Sequence, residues 1–227
     1  MRGILLEVIV QSVDDARAAL AGGADRLEVV RSIRDGGLTP APALVRAIAR
    51  ESSLPLRVMV RENAGYDTDA RELPVLRRAA AEFAAIGVDG LVVGFARSET
   101  VALDELRSVL HAAPGVKATF HRAFDALRDP LAAIDELVRI AAVDRILTSG
   151  GNDTPSARCD RLRNYAARGG SRIHVVAGGG VDEEMLALIR CTGCVREVHV
   201  GRAAREQNDP DAPVSASRVT RLRALIG

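Results

Sequence analysis

Short runs rich in β-branched residues alternate with alanine- and leucine-rich stretches of helical period along the whole chain. Eight of these runs are predicted strands: 4–10, 25–30, 55–60, 89–94, 116–121, 144–149, 172–177 and 196–201. Eight helices are predicted between and after them: 13–21, 41–51, 73–86, 102–112, 130–141, 156–168, 182–191 and 215–226. Eight β-loop-α units in series, with no break in composition, predict a single-domain TIM (β/α)8 barrel over residues 1–227. An open doubly wound sheet is disfavoured because Gln11-Ser12-Val13, rather than a glycine-rich loop, follows the first strand.

Alternate positions of the predicted strands differ in polarity. One parity is almost wholly apolar, as in Leu6, Val8 and Val10, and is the face expected beneath the helices. The other parity faces the barrel interior and is polar: Glu7, Glu28, Arg57, Arg61, Lys117, Thr119, His121, His174, Glu197 and His199. A structural interior is filled with Val, Ile and Leu, and enclosed charges are costly unless they are paired. The polar set is therefore either a network of buried ion pairs or a functional site.

Position along each strand divides this polar set, because active sites in TIM barrels lie at the carboxyl ends of the strands. Arg57, Lys117 and Glu197 begin their strands and are expected at the floor of the barrel. The candidate catalytic residues are Glu7, Glu28, Arg61, His121, Asp125 and His199. Two neighbouring carboxylates can raise one another's pKa and so provide one acid and one base. His121 is the expected acid or base of the site, with Glu7 or Glu28 as its counterpart across the mouth. Arg61 is the expected clamp for a substrate carboxylate or phosphate. A salt-bridged role for one of the glutamates is an equal alternative.

The segment TFHRAFD, residues 119–125, places three functional side chain types where a strand becomes a loop. If His121 points inward, Arg122 is predicted to turn outward toward the helices, and Asp125 to lie in the loop over the mouth. A histidine near a carboxylate suits either a general acid or base, or a metal ligand. The structural alternative is that His121 is a satisfied core residue and that Asp125 only orders the loop.

Glycine-rich turns end the last two predicted strands, in VVAGGGVD at 175–182 and VHVGRAARE at 198–206. The corresponding loops of barrel enzymes often hold phosphate groups through backbone N–H groups. This predicts a phosphate-type anion site formed by Ser149, Gly178, Gly179, Gly180, Gly201 and Arg202. Tight turns without any ligand would account for the same glycines.

Composition narrows the partners of the protein. Lysine plus arginine (31) nearly balances aspartate plus glutamate (30), and aromatic residues make up only 3% of the chain, so neither a basic field nor stacking platforms favour nucleic acid. No segment reaches the length of an apolar membrane span, and the apolar run after Arg2 is too short for a signal peptide, which predicts a cytoplasmic protein. Three cysteines do not make a disulfide framework, and the single CTGC stretch at 191–194 is a weak metal signal.

The residues also carry a family resemblance. LLE (5–7), GADRLE (23–28), GGLTP (36–40), TFHRAFD (119–125), ILTSGG (146–151), AGGGV (177–181) and EVHVGRA (197–203), in this order, resemble the copper homeostasis protein CutC family. The resemblance covers the whole chain and implies a cytoplasmic TIM barrel, often dimeric, with copper as the ligand. Family members for which copper binding has been proposed tend to carry cysteine just after the first two strand glutamates. Here LEVIV (6–10) and LEVV (27–30) hold no sulfur, the ligand type that cuprous copper prefers.

Two functions follow. The first, implied by the family, is copper homeostasis with a bound copper ion. The alternative is a lyase, isomerase or hydrolase that acts on a small anionic metabolite, phosphorylated or not. A homodimer is expected in either case, and the alanine- and arginine-rich helix 73–86 is a candidate contact surface.

Overall fold

Eight parallel strands close into a barrel in the computed structural model of this chain, which describes residues 3–227. The barrel strands are β1 (Leu5–Val10), β2 (Arg26–Val29), β3 (Leu56–Met59), β4 (Gly90–Val93), β7 (Lys117–Phe120), β8 (Val143–Thr148), β9 (His174–Ala177) and β10 (Glu197–Val200). Two further short strands, β5 (Ala96–Arg97) and β6 (Thr100–Val101), form a separate sheet. Around the barrel the order is β1-β2-β3-β4-β7-β8-β9-β10, and β10 pairs with β1. The predicted TIM barrel is confirmed.

A ring of helices surrounds this barrel. They are α1 (Val13–Ala21), α2 (Pro42–Glu51), α3 (Glu72–Ile86), α4 (Leu103–His111), α5 (Pro130–Val138), α6 (Pro155–Gly169), α7 (Glu183–Thr192) and α8 (Ala216–Ile226). The outward strand positions Leu6, Val8 and Val10 are fully buried beneath them. Each such side chain stabilises the fold by about 1.5–3 kcal/mol relative to an exposed one, so this layer between strands and helices is the main hydrophobic core.

Local sequence explains where most helices begin. The Ser12 hydroxyl accepts a hydrogen bond from the backbone N–H of Asp15 at 3.0 Å, and Asp129 accepts two from the first turn of α5, as N-cap residues do. Pro42 occupies the first position of α2, which begins one residue after its predicted start at 41. Helix α5 ends at Val138, three residues before its predicted end.

The connection between β4 and α4 contains a small hairpin that the sequence pattern did not predict. Strands β5 and β6 pair antiparallel outside the barrel, and their turn residues Ser98 and Glu99 have positive φ angles. Each strand contributes only two residues, which is too short for hydrophobic alternation to be recognised.

The barrel interior is layered along its axis. On β3 and the residues that follow it, the inward positions are Arg57, Met59 and Arg61 in succession. Met59 packs with Val30, Val92 and Ile9 into a small apolar layer inside the barrel. This layer separates the floor, where Arg57 lies, from the mouth, where Arg61 lies.

Candidate functional site

The inward polar residues predicted from strand parity are mostly buried inside the barrel. At most 8% of the surface of each is exposed in this set: Glu7, Glu28, Arg57, Arg61, Thr119, His121, Glu197 and His199. Lys117 and His174 depart from the prediction and are exposed. Both lie at the floor end of their strands without a carboxylate partner among the described residues, and the Lys117 ammonium contacts the Ala141 carbonyl at 3.3 Å.

Ion pairs fill the floor. The Arg57 guanidinium donates to both oxygens of Asp144 at 2.9 Å and pairs with Asp89 at 2.8 Å. Glu197 accepts hydrogen bonds from Arg26 at 2.7 Å and from Arg145 at 2.8 Å. These groups compensate one another's charge, so the floor matches the structural interpretation of buried ion pairs.

Sequence reasoning missed the role of Arg26. Its Nε donates to Glu7, and its Nη2 donates to Glu197, so one guanidinium joins the floor network to the mouth. The signal was present, because Arg26 stands two residues before Glu28 and therefore shares its inward parity.

Glu7, Glu28 and His199 form a buried cluster inside the barrel, which we call the acidic set; Glu28 and His199 line the mouth cavity. His199 Nδ1 lies 2.7 Å from Glu7 Oε1 and 3.2 Å from Glu28 Oε2. Strand register brings the residues together, because β1 pairs with β10 at Glu7↔His199 and β2 is the other neighbour of β1. One ligand atom from each residue lies within 4.8 Å of the other two, close enough for a single metal ion.

Burial and charge act differently on the two glutamates. Burial raises the pKa of Glu28 to about 7, and the neighbouring Glu7 charge adds to this rise. Burial also opposes ionisation of Glu7, but the Arg26 charge and the hydrogen bonds from His199 and Arg26 hold its pKa well below the usual range. Burial favours neutral His199, yet Glu28 and Glu7 outweigh it and raise the pKa of the imidazole. At neutral pH the acidic set therefore holds an ionised Glu7 and a Glu28 close to its midpoint, and both carboxylates favour the protonated form of His199.

A second group, Arg61, His121 and Arg122, lies at the mouth near the ends of β3 and β7, and we call it the basic wall. Arg61 donates to the carbonyls of Gly65 at 3.1 Å, Gly36 at 3.2 Å and Ala64. His121 Nδ1 accepts the backbone N–H of Ala123 at 3.1 Å. Burial lowers the pKa of His121 to about 3, with the Arg61 charge acting in the same direction, so the imidazole is neutral.

The TFHRAFD segment differs from the prediction at Arg122. Instead of turning toward the helices, Arg122 lies at the mouth and donates to Asp125 at 2.9 Å. The cause is a 3-10 turn over Arg122–Ala126, which ends the strand alternation on which the prediction depended. Asp125 also accepts from the Thr148 hydroxyl at 2.6 Å and from the Ser149 N–H at 3.1 Å, so it fastens this turn to the end of β8.

The predicted anion residues divide into two groups. Gly179, Gly180, Gly201 and Arg202 line the mouth cavity. The Gly178 N–H donates to the Thr148 carbonyl, and the Ser149 N–H donates to Asp125, so these two amides already have partners within the protein. Gly178 instead permits close packing, since a Cβ there would lie 2.6 Å from the Leu147 side chain.

One cavity of about 560 Å³ joins the two sides of the mouth. Glu28 and His199 line it on the side of β2 and β10, and the basic wall lines it on the side of β3 and β7. Its volume is typical of a small-molecule site. The cavity can therefore receive a ligand that meets an acidic set and a basic wall at once.

The cysteines lie away from this cavity. Cys159 and Cys194 are buried with their sulfurs 3.2 Å apart, whereas Cys191 is exposed. Contact between two cysteines 35 residues apart was not predictable from the CTGC spacing.

Within residues 3–227, none of the helices combines the length and apolarity needed to cross a membrane.

Sequence comparisons with known proteins identify one family. The model of the CutC family matches residues 4–204. A family protein CutC of Caulobacter vibrioides is 38% identical over 86% of this chain and 80% of its own length. One from Treponema denticola is 32% identical over 96% of this chain and 88% of its own. A solved CutC structure from Streptococcus agalactiae superposes with a TM-score of 0.80 at 23% identity, covering 86% of this chain and 97% of the other. This chain therefore belongs to the CutC family.

Proposed function

We propose that this protein takes part in copper homeostasis by binding a copper ion between Glu7, Glu28 and His199. The observation that carries the proposal is the acidic set itself, because two carboxylates and an imidazole offer ligand atoms within 4.8 Å of one another, all buried. The name of the Streptococcus agalactiae relative, "Putative Copper Homeostasis Protein CutC", supports the same role.

The donor atoms favour cupric over cuprous copper. Imidazole and carboxylate ligands suit Cu(II), and Cu(II) heads the affinity order of divalent first-row metals, whereas Cu(I) prefers sulfur. No cysteine lines the cavity in residues 3–227, and Met59 supplies its one sulfur. A copper ion at His199 competes with protons for the imidazole and the carboxylates, so copper binding should tighten as pH rises.

Equilibrium dialysis of the metal-free chain against Cu(II), followed by elemental analysis, tests this proposal. Wild type should retain about one copper ion per chain, and His199→Ala and Glu28→Gln should weaken retention about 10-fold or more. His174→Ala is the matched control, since it removes an exposed histidine at the opposite end of the barrel. Equal losses in His174→Ala and His199→Ala, or no stoichiometric copper in wild type, would refute the site.

A growth assay tests the cellular role. A strain lacking the gene should regain normal copper tolerance when it carries wild type or His174→Ala, but not when it carries Glu28→Gln. Equal rescue by all three would show that copper bound at the acidic set plays no part in tolerance.

We also propose that a phosphate-type anion enters the same cavity, supported by Gly179, Gly180, Gly201 and Arg202 in its lining.

Cytoplasmic location is a further proposal, supported by three cysteines in a chain without a disulfide framework, and cell fractionation tests it. A homodimer through α3 is proposed because Val75 on that helix is 45% exposed, and light scattering on the purified chain tests it.

A further inference from the structure

Arg61 is a buried cation without a carboxylate partner among the described residues. It is 8% exposed, and the three hydrogen bonds of its guanidinium all end on backbone carbonyls. Its guanidinium also lies 5.0 Å from the centre of the Tyr66 ring. Carbonyl dipoles and a ring face leave a full positive charge uncompensated, although buried charges in proteins are normally paired.

On the same side of the cavity, His121 supplies an N–H donor that has no hydrogen-bond partner in the described part of the chain. Its Nδ1 accepts a backbone N–H, which places the ring proton on Nε2. Nε2 is buried and has no hydrogen-bond partner within residues 3–227, and the imidazole lines the cavity. A buried N–H without a partner is unfavourable, and a bound acceptor would remove that penalty.

Arg122 completes the basic wall beside the glycine turn. The backbone at Gly179 approaches it so closely that a Cβ there would lie 3.0 Å from the Arg122 guanidinium carbon. Asp125 neutralises Arg122 in part, but the Asp125 carboxylate binds the β8 turn and does not line the cavity. Two guanidinium groups and one neutral N–H donor therefore face the cavity.

We propose that an oxyanion, either a phosphate or a carboxylate group of a small ligand, binds to Arg61 and His121 with Arg122 at its rim. This assignment deepens the proposed anion binding by naming the side chains that hold the charge. It does not depend on copper, because none of the three residues belongs to the acidic set.

Calorimetric titration of the metal-free full-length chain with inorganic phosphate, and separately with acetate, tests the assignment. Arg61→Gln should weaken binding of the preferred anion about 10-fold or more, because it removes a charge-assisted contact. Arg34→Gln is the matched control: Arg34 lines the same cavity and carries the same charge, but it is exposed and paired with Asp211. It should change the affinity less than about two-fold.

A pair of His121 variants keeps the test independent of folding defects around Arg61. His121→Gln retains a side-chain N–H donor, and His121→Phe removes it at similar size. Binding that survives in His121→Gln and is lost in His121→Phe supports the assignment. Wild type that binds neither anion, or Arg34→Gln that weakens binding as much as Arg61→Gln, would overturn it. Because these titrations contain no metal, they succeed or fail separately from the copper measurements.

Discussion

Replacing Glu28 by glutamine should remove a pH-dependent cost from the folded state. Burial raises the pKa of Glu28 from 4.5 to about 7, so the folded protein holds this proton more tightly than the unfolded chain does. The stability that the proton contributes is fully present below pH 4.5 and is lost as pH rises to about 7. Above that pH, the folded state carries the cost of an ionised, buried carboxylate.

The magnitude follows from the difference between the two pKa values. A rise from 4.5 to about 7 corresponds to about 3 kcal/mol. Glutamine has the shape of protonated glutamate and does not titrate, so Glu28→Gln should match wild type near pH 4. At pH 8 it should exceed wild type by about 3 kcal/mol, or about 6–12 °C in Tm for a chain of this size.

Urea denaturation of metal-free protein from pH 4 to pH 9 measures this difference. Glu184→Gln, an exposed substitution of the same type on α7, is the control and should follow wild type at every pH. A free-energy difference between Glu28→Gln and wild type that stays constant across this range would refute the reasoning. So would a variant that is less stable than wild type at pH 8.

Two further substitutions test the supports of the site. Arg26→Met leaves two buried carboxylates without their shared cation and should destabilise the fold by about 3–5 kcal/mol in urea denaturation. Arg17→Met, which removes exposed ion pairs, should leave the midpoint nearly unchanged, and equal effects would contradict the charge argument. Gly94→Ala places a Cβ 2.9 Å from His121 Nδ1, so displacement of the ring should weaken phosphate binding about 10-fold. Unchanged phosphate affinity in that variant would show that the ring position does not matter.

The fold was predictable because hydrophobic period changes from strand to helix eight times. The same alternation identified Glu7, Glu28, Arg61, His121 and His199 as inward residues, since parity fixes direction wherever a strand is regular. The register between β1 and β10 places Glu7 beside His199, and this register cannot be read from the sequence alone.

Prediction failed where regular strand geometry ends. Arg122 turns into the cavity because a 3-10 turn follows β7, and parity says nothing about side chains in such a turn. Lys117 and His174 have the inward parity but are exposed, whereas Glu197, which also begins its strand, is buried and paired with Arg26 and Arg145; parity does not distinguish these cases. Asp125 lies in the loop, as expected, and its hydrogen bonds to the end of β8 are a long-range contact that no local pattern encodes.

Electron paramagnetic resonance of the chain loaded with one equivalent of Cu(II) tests the central claim most directly. A copper ion between Glu7, Glu28 and His199 should show coordination by one imidazole nitrogen, and this signature should disappear in His199→Ala and persist in His174→Ala. A spectrum that His199→Ala leaves unchanged, or that shows no nitrogen ligand, would contradict a copper site at the mouth of the barrel.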